Sequence, residues 1–459
     1  MGLLEPQRRY YGKNGEGLLR IKNEECRNLL NSEFYILNSQ GAKKMAKKTV
    51  ADIDVRGKKV LMRCDFNVPL DEDCNITSDD RILKALPTIK KILDGGGTLI
   101  LMSHLGRPKG QRDEKMSLAP VAKRLSELLG QEVIFTEDCI GPETKAKAQA
   151  LASGDCMLLE NLRFHREETI KDKAAKGDAQ LRQAKDDFAQ QLADLADIYV
   201  DDAFGTAHRD NASMYTVPSL MEGKPRVIGF LIEKELQFLG ETLNNPNKPF
   251  VAILGGAKVS DKIGVIENLI NKVDRIIIGG AMAYTFLKGS GKSIGQSLCE
   301  NDFINKGQTL LKQAAEADCE VVLPVDHDVV RKLKPGAPHR TAVGDIDPGY
   351  QAVDIGPIAK QMFVQKIADA RTIVWNGPMG VFEIPPFDDG TKAVAFAVAE
   401  ATDKGARSIV GGGDSAAAVK KLGLEDRISH ISTGGGASLE FLEGKKFKCL
   451  EILDEKDTD

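Results

Sequence analysis

Short apolar, β-prone runs recur along the chain, each followed by a glycine-rich or polar turn and then a stretch of helical spacing. In the first half they cover residues 60–64, 98–102, 132–135, 157–159 and 198–200; in the second, 250–254, 275–278, 321–323, 372–375 and 408–410. Strands that alternate with helices predict right-handed crossovers and parallel sheets. Between the halves, "FLIEKELQFLGETLNNPNKP" puts Ile232, Leu236, Leu239 and Leu243 on one helical face, and its Asn-Pro-Asn-Lys-Pro segment stops the helix. The pattern predicts an α/β protein: two doubly wound, Rossmann-like parallel-sheet domains joined by a helix and a hinge. The expected boundaries are 45–231 for the N-terminal domain and 232–441 for the C-terminal one.

Length agrees with this division, because 459 residues exceed what a single hydrophobic core comfortably serves. A net charge of −4 gives no electrostatic reason to expect nucleic acid or an anionic membrane as partner, so any anion site must be local. No apolar run approaches the roughly 20 residues of a membrane-spanning helix. The eight cysteines show no CxxC and no metal-ligand spacing with the six histidines, a pattern of reduced thiols in a cytoplasmic protein. Residues 1–44 lack the apolar stretch of a signal peptide and carry glutamates that transit peptides avoid. They read as an unstructured extension, or as leader sequence translated from an upstream start.

Ligands of open parallel sheets bind beyond the carboxyl ends of the strands. After the first-half strands stand "DFNVP" (65–69), "SHLGRP" (103–108), "ENLRFH" (160–165) and "DDAFGTAHR" (201–209), and "TSDDRI" (77–82) opens a helix. Asp65, Asn67, Arg81, His104, Arg107, Arg163 and Arg209 can therefore share one rim. The planar guanidinium suits carboxylate and phosphate, so several arginines together read as a clamp for a small, multiply charged anion. Singly, each arginine reads as a surface ion pair, and His104 and His208 as hydrogen-bonded structural residues.

The second half differs in kind. "GGAKVSDK" (255–262), "GGAMAY" (279–284), "WNGPMG" (375–380), "GGGDS" (411–415) and "STGGGAS" (432–438) let backbone approach a ligand closely and present N–H groups to phosphate. "LGGAKVSDK" is not the P-loop, which needs four variable residues between glycine and Gly-Lys-Ser/Thr. Asp414 reads either as a carboxylate for phosphate-bound magnesium or as a helix N-cap. A nicotinamide dehydrogenase would share the fold class, but "DFNVP" stands after the first strand where G-x-G-x-x-G is required.

From residue 45 nearly to the C-terminus, "RCDFNVP", "SHLGRP", "ENLRF", "DAFGTAHR", "LGGAKVSDK", "WNGPMGVFE", "GGGDS" and "STGGGASLE" follow one another in the order and spacing of phosphoglycerate kinases, and the chain resembles that family. The resemblance implies a monomeric, cytoplasmic, hinge-bending enzyme of glycolysis that transfers a phosphoryl group between 1,3-bisphosphoglycerate and ADP, giving 3-phosphoglycerate and ATP, with Mg²⁺. It assigns phosphoglycerate to Asp65, Phe66, Asn67, Arg81, His104, Leu105, Gly106, Arg107, Arg163 and Arg209. It assigns the nucleotide to Gly256, Ala257, Lys258, Lys262, Gly280, Asn376, Glu383, Gly412, Gly413, Asp414 and Ser415, with Glu383 at the ribose and Asp414 at the metal. Arg81 and Lys258 become the catalytic charges, and the tail 442–459 is expected to return to the N-terminal lobe. Three positions depart from the family's habit: Ser415 for threonine, Asp201 for asparagine, and Ala352 for a glycine beside the adenine.

Overall fold

The structure is a computed structural model and describes residues 47–456. The expectation for residues 1–44 lies outside the described residues, as do the last three residues of the tail.

The first sheet comprises β1 (Lys59–Arg63), β2 (Thr98–Met102), β3 (Val133–Phe135), β4 (Cys156–Leu158), β5 (Ile198–Asp201) and β6 (Arg226–Ile228). They run parallel in the order β3-β4-β2-β1-β5-β6. After it come β7 (Phe250–Leu254), β8 (Arg275–Ile278), β9 (Glu320–Val322), β10 (Asp326–Val330), β11 (His339–Val343), β12 (Gln351–Ile355), β13 (Thr372–Asn376), β14 (Arg407–Gly411) and β15 (His430–Ile431). A second parallel sheet has the order β15-β14-β13-β7-β8-β9, and β11-β10-β12 form a separate antiparallel one. Central strands such as "TLILM" and "FVAIL" are buried throughout, as strands covered by helices on both faces must be.

The ten runs read from the sequence are all strands, with ends moved by a residue or so. The parallel sheets also take in β6 and β15, which are too short to show a pattern. Strands β10 to β12 escaped because they carry charges, and β11 is largely exposed. Strand β10 and the end of β12 are nonetheless buried, Asp326, His327 and Asp354 included.

Helices cover both sheets. One face of the first sheet, with Val60, Met62, Leu99 and Leu101, packs against Ile82, Ile89 and Leu125. On the other face, Leu61, Ile100 and Tyr199 share an apolar core with Ile232, Leu236 and Leu239, which continues to Phe250, Ala252 and Ile276 of the second sheet. The linking helix, Phe230–Asn244, thus seals the inner faces of both lobes. The Asp202 carboxylate, just beyond β5, caps its start by accepting N–H bonds from Leu231 at 2.9 Å and Ile232 at 3.2 Å.

The C-terminal segment lies on the first lobe. Lys47 donates to the Leu453 carbonyl at 2.7 Å, Arg226 and Asp454 exchange backbone and side-chain bonds, and the Cys449 thiol meets the Ala207 carbonyl at 2.7 Å. Phe447 packs its ring 6.2 Å from Phe204.

Gly229 sits directly against the Asp202 carboxyl, so a side chain there would displace the cap of the linking helix. Gly229→Ala is expected to destabilise the protein by about 1–3 kcal/mol through overpacking, measured as a shift of the urea midpoint.

Candidate active site

In each parallel sheet the chain reverses its direction of travel at one place: between β1 and β5 in the first, between β7 and β13 in the second. The crevice beyond the carboxyl ends at such a switch point is where open α/β sheets take ligands. Both crevices are built from the segments singled out in the sequence.

At the first, Asp65 follows β1 and forms an ion pair with Arg81, in the first turn of the helix Asp80–Asp94. Asn67 accepts the Gly106 N–H at 2.8 Å, and Gly106 accepts from Arg163 at 2.7 Å. Gly106 has φ +63°, and a side chain there would strike Met116. Phe66 is fully buried, its N–H donating to Ser103 at 2.8 Å. Asn161 holds the Leu105 N–H and carbonyl and the Arg163 N–H, fixing the two loops to each other. Arg209 donates to His208 at 3.1 Å, and Arg107 is exposed beside it.

Electrostatics set the character of this rim. Burial and the neighbouring Arg63 and Arg209 lower Arg163 to about 10. Burial, then Arg107, lowers Arg209. Burial also drives His104 well below the usual imidazole range, with Arg63, Arg163 and Arg209 pushing the same way. His104 is therefore neutral, and its Nδ1 accepts from Arg63 at 3.2 Å. The same burial pushes the Asp65 carboxyl up, but His104, Arg81 and Arg63 together hold it below its ordinary value. With His104 uncharged, the two arginines supply that hold at neutral pH. His208, lowered to about 4 by burial and Arg209, is neutral as well.

Arg63 itself was not singled out from the sequence. It is fully buried at the end of β1 and bonds Ser213, the Cys64 carbonyl and His104. Its signal was a lone cation closing an apolar strand, "KVLMR".

At the second crevice, Lys262 is buried and donates to the Asn376 side-chain oxygen, joining the loop after β7 to the end of β13. The Gly256 N–H bonds the Pro378 carbonyl and the Gly280 N–H the Met379 carbonyl, so three turns meet backbone to backbone. Gly256 and Gly280 have φ of +110° and +65°, which favour glycine. Ser415 accepts the Gly377 N–H at 2.6 Å. Gly412 lies against the Asn376 amide and occupies the N-cap of the helix Gly413–Lys421, with Asp414 exposed in its first turn. The N-cap reading of Asp414 is corrected accordingly: the glycine has that position. Ala257, Lys258 and Glu383 are exposed, and Glu300 is a charged neighbour of Lys258. Ala352, on β12, donates its N–H to Ser297 beside a small apolar cluster of Tyr284, Leu287 and Val329.

Each crevice holds a buried donor with no protein partner: Arg163 Nε in the first and Asn376 Nδ2 in the second. Such donors are costly unless something else accepts from them. Away from both, Asp138, Cys139 and His165 come together, but there the Asp138 carboxylate already accepts from His165 at 2.6 Å and from the Cys139 N–H.

The lobes meet at the glycine loop 432–436. Gly434 presses on the Phe204 ring. Glu235, on the linking helix, accepts from the Thr433 N–H and hydroxyl and from His430, which stacks on Phe238 at 4.6 Å.

A guanidinium-lined crevice in one lobe, a backbone-donor crevice in the other and a cleft between them define a two-lobed phosphotransferase. The family model described as phosphoglycerate kinase matches residues 50–445. Among named relatives, "Phosphoglycerate kinase" of Chlorobium phaeobacteroides is 54% identical over 412 residues, 90% of this chain and 100% of the relative. That of Thermosipho africanus is 53% identical over 90% of this chain and 99% of its own length. The solved phosphoglycerate kinase of Coxiella burnetii superposes with a TM-score of 0.76 at 41% identity, covering 88% of this chain and 98% of that one. The enzyme of Pyrococcus horikoshii gives 0.73 at 32% identity, covering 88% and 97%. The chain belongs to the phosphoglycerate kinase family, and it is a glycolytic kinase.

Burial lowers Lys262 from 10.5 to about 8. The unfolded chain therefore binds more protons between these values, and the lysine's contribution to the stability of the ligand-free protein rises with pH across that window. Lys262→Met should remove this component, so the stability difference between wild type and variant is expected to drift in favour of wild type from pH 8 to 10.5. Urea melts at several pH values measure it.

Proposed function

We propose that this protein catalyses reversible, in-line transfer of a phosphoryl group from 1,3-bisphosphoglycerate to ADP, without a covalent enzyme intermediate. The observation that carries the reading is the pair of unlike crevices, each with an orphaned buried donor, at the switch points of two sheets. Residues 45–231, with the tail 442–459 packed back on them, form the phosphoglycerate domain; residues 232–441 form the nucleotide domain.

In the first domain Arg81, Arg107, Arg163 and Arg209 grip the phosphate and carboxylate of the substrate, and Asp65, Asn67 and neutral His104 position it together with the 66 and 105–106 backbone. In the second, the glycines at 256, 280, 412 and 413 allow close approach, Ala257, Lys262, Asn376 and Ser415 hold phosphate, and Glu383 takes the ribose. The apolar cluster beside Ala352 accepts the adenine. Asp414 suits magnesium: a single exposed carboxylate fits an ion that keeps several waters. When bound, the ion offsets charge on the nucleotide phosphates.

No general base is needed, because the attacking groups in both directions are already ionised at neutral pH. The barrier lies in bringing anions together and in stabilising charge on the equatorial oxygens of the moving group. Lys258 supplies charge from the nucleotide side and Arg81 from the other lobe, while the glycine N–H groups of 411–413 and 434–436 add neutral donors. Exposure of Lys258 in the ligand-free protein leaves it free to meet a phosphate. Arg81 must leave Asp65, or share it, as substrate binds. Closure of the lobes about the 225–250 segment brings the reactants to about 3–3.5 Å and excludes the water that would hydrolyse the acyl phosphate. The protein works as a monomer in the cytoplasm.

A coupled assay of ATP-dependent 3-phosphoglycerate phosphorylation tests the reading; no turnover would end it. Arg81→Ala and Lys258→Ala are each expected to cut kcat roughly 10²-fold or more, as removal of one preorganised donor does. Turnover within a few-fold of wild type would strike that residue from the catalytic set. X-ray scattering should show a smaller radius of gyration with both ligands present than with either alone, and an unchanged radius would count against closure.

A further inference from the structure

The helix that carries Arg81 is tied to the nucleotide lobe at its own first turns. Asp80 forms an ion pair with Lys420, in the last turn of the helix that begins at Gly413. One turn further on, Lys84 donates to the Ile431 carbonyl at 3.3 Å. Ile431 lies in β15, directly before the glycine loop that opens at Ser432. Residues four apart stand on one helical side, so Asp80 and Lys84 face the other lobe together. Each reaches a different glycine element of the nucleotide side: one the helix behind "GGGDS", the other the strand before "STGGGAS".

The setting fits a reversible tie. Asp80, Arg81 and Lys84 line one wall of an inter-lobe cleft of about 930 Å³, and Gly412, Lys420 and Ile431 line the other. The Asp80 and Lys420 side chains are each 50% exposed, so water can replace the pair when the lobes part. Lys84 is exposed as well. The charged groups around it are Glu235 and Lys234 of the linking helix, with Asp80 and Arg81 of its own. A backbone carbonyl is a partner that no side-chain change on the far lobe can remove.

We propose that Asp80–Lys420 and Lys84–Ile431 form a two-point latch that holds the shut state and sets Arg81 against the transferring group. The residues act by positioning; none of the four touches a reactant. The proposal rests on the reading that Arg81 serves phosphoryl transfer between ligands bound to separate lobes. It has a specific signature, because ligands bound singly do not need the lobes to meet. Breaking the latch must spare binary binding and impair only the doubly liganded enzyme. For exposed ties of this kind a few-fold effect per contact is the scale to expect.

The test compares wild type with Lys84→Met, Lys420→Glu and their combination, alongside Lys84→Arg and Lys420→Arg. Calorimetry measures 3-phosphoglycerate and ADP separately, the coupled assay gives kcat, and scattering gives the radius of gyration with both ligands. The double variant is expected to keep both binary dissociation constants, lose about tenfold in kcat and compact less than wild type, while the arginine variants stay near wild type. Wild-type turnover and compaction in the double variant would overturn the latch. So would binary affinities that fall as far as turnover does, since that marks a general defect in the lobes. An inactive wild type would instead take down the underlying reading, and the latch with it.

Discussion

A guanidinium buried completely at the end of a strand is the constraint around which the first crevice is organised. Arg63 cannot reach water, so its charge must be answered by fixed groups, and each answer places a part of the rim. Its Nε bonds Ser213, whose hydroxyl and N–H are in turn held by buried Glu168. Its other nitrogens take the Cys64 carbonyl and the His104 ring. Burial keeps the His104 ring uncharged, with Arg63 pressing the same way, and Arg63 joins Arg81 in holding Asp65 ionised. A substrate anion therefore meets a field that is set before it arrives, which is the condition under which charge stabilisation costs little reorganisation.

The two lobes solve the same problem with different chemistry. The first concentrates cationic side chains and tolerates their mutual repulsion, visible in the lowering of both Arg163 and Arg209. The second uses backbone, for which glycine at positive φ is the requirement, and it buries one lysine against Asn376 where two stand close in sequence. Lys258 and Lys262 look alike on the page of letters. The fold separates them into an exposed charge and a buried one that burial lowers to about 8.

Much of this was legible beforehand, for physical reasons. Central strands covered on both faces must be continuous apolar runs, so β1, β2, β5, β7, β8, β13 and β14 were readable, and the segments following them were the right ones to search. The linking helix announced itself through Ile232, Leu236, Leu239 and Leu243. What escaped has the opposite character. Strands β10 and β12 mix charged side chains into their buried positions, and β11 is largely exposed, so none shows a continuous apolar run. Arg63 was hidden by its apolar neighbours. Glu235 and Lys84 take their meaning from atoms 198 and 347 positions away, Thr433 and the Ile431 carbonyl, and no local pattern encodes such a pairing. Asp201 is a case between the two. The sequence marked it as a carboxylate where the family has asparagine, and burial then raises it to about 7, a value no spacing could supply.

The return of the C-terminal segment to the first lobe bears on how the protein is made. A ribosome releases the strands of that lobe by Ile228, yet Cys449, Leu450 and Leu453 complete its apolar interior, and Leu453 supplies the carbonyl that the buried Lys47 needs. At about 5–20 residues per second, the nascent lobe waits on the order of ten seconds or longer with that interior incomplete, and the whole of the other lobe is synthesised in the interval. Lys47 is thus secured by residues made only after the other lobe is complete, so maturation of the amino-terminal half waits on synthesis of the carboxy-terminal one even though its sheet is the first to leave the exit tunnel.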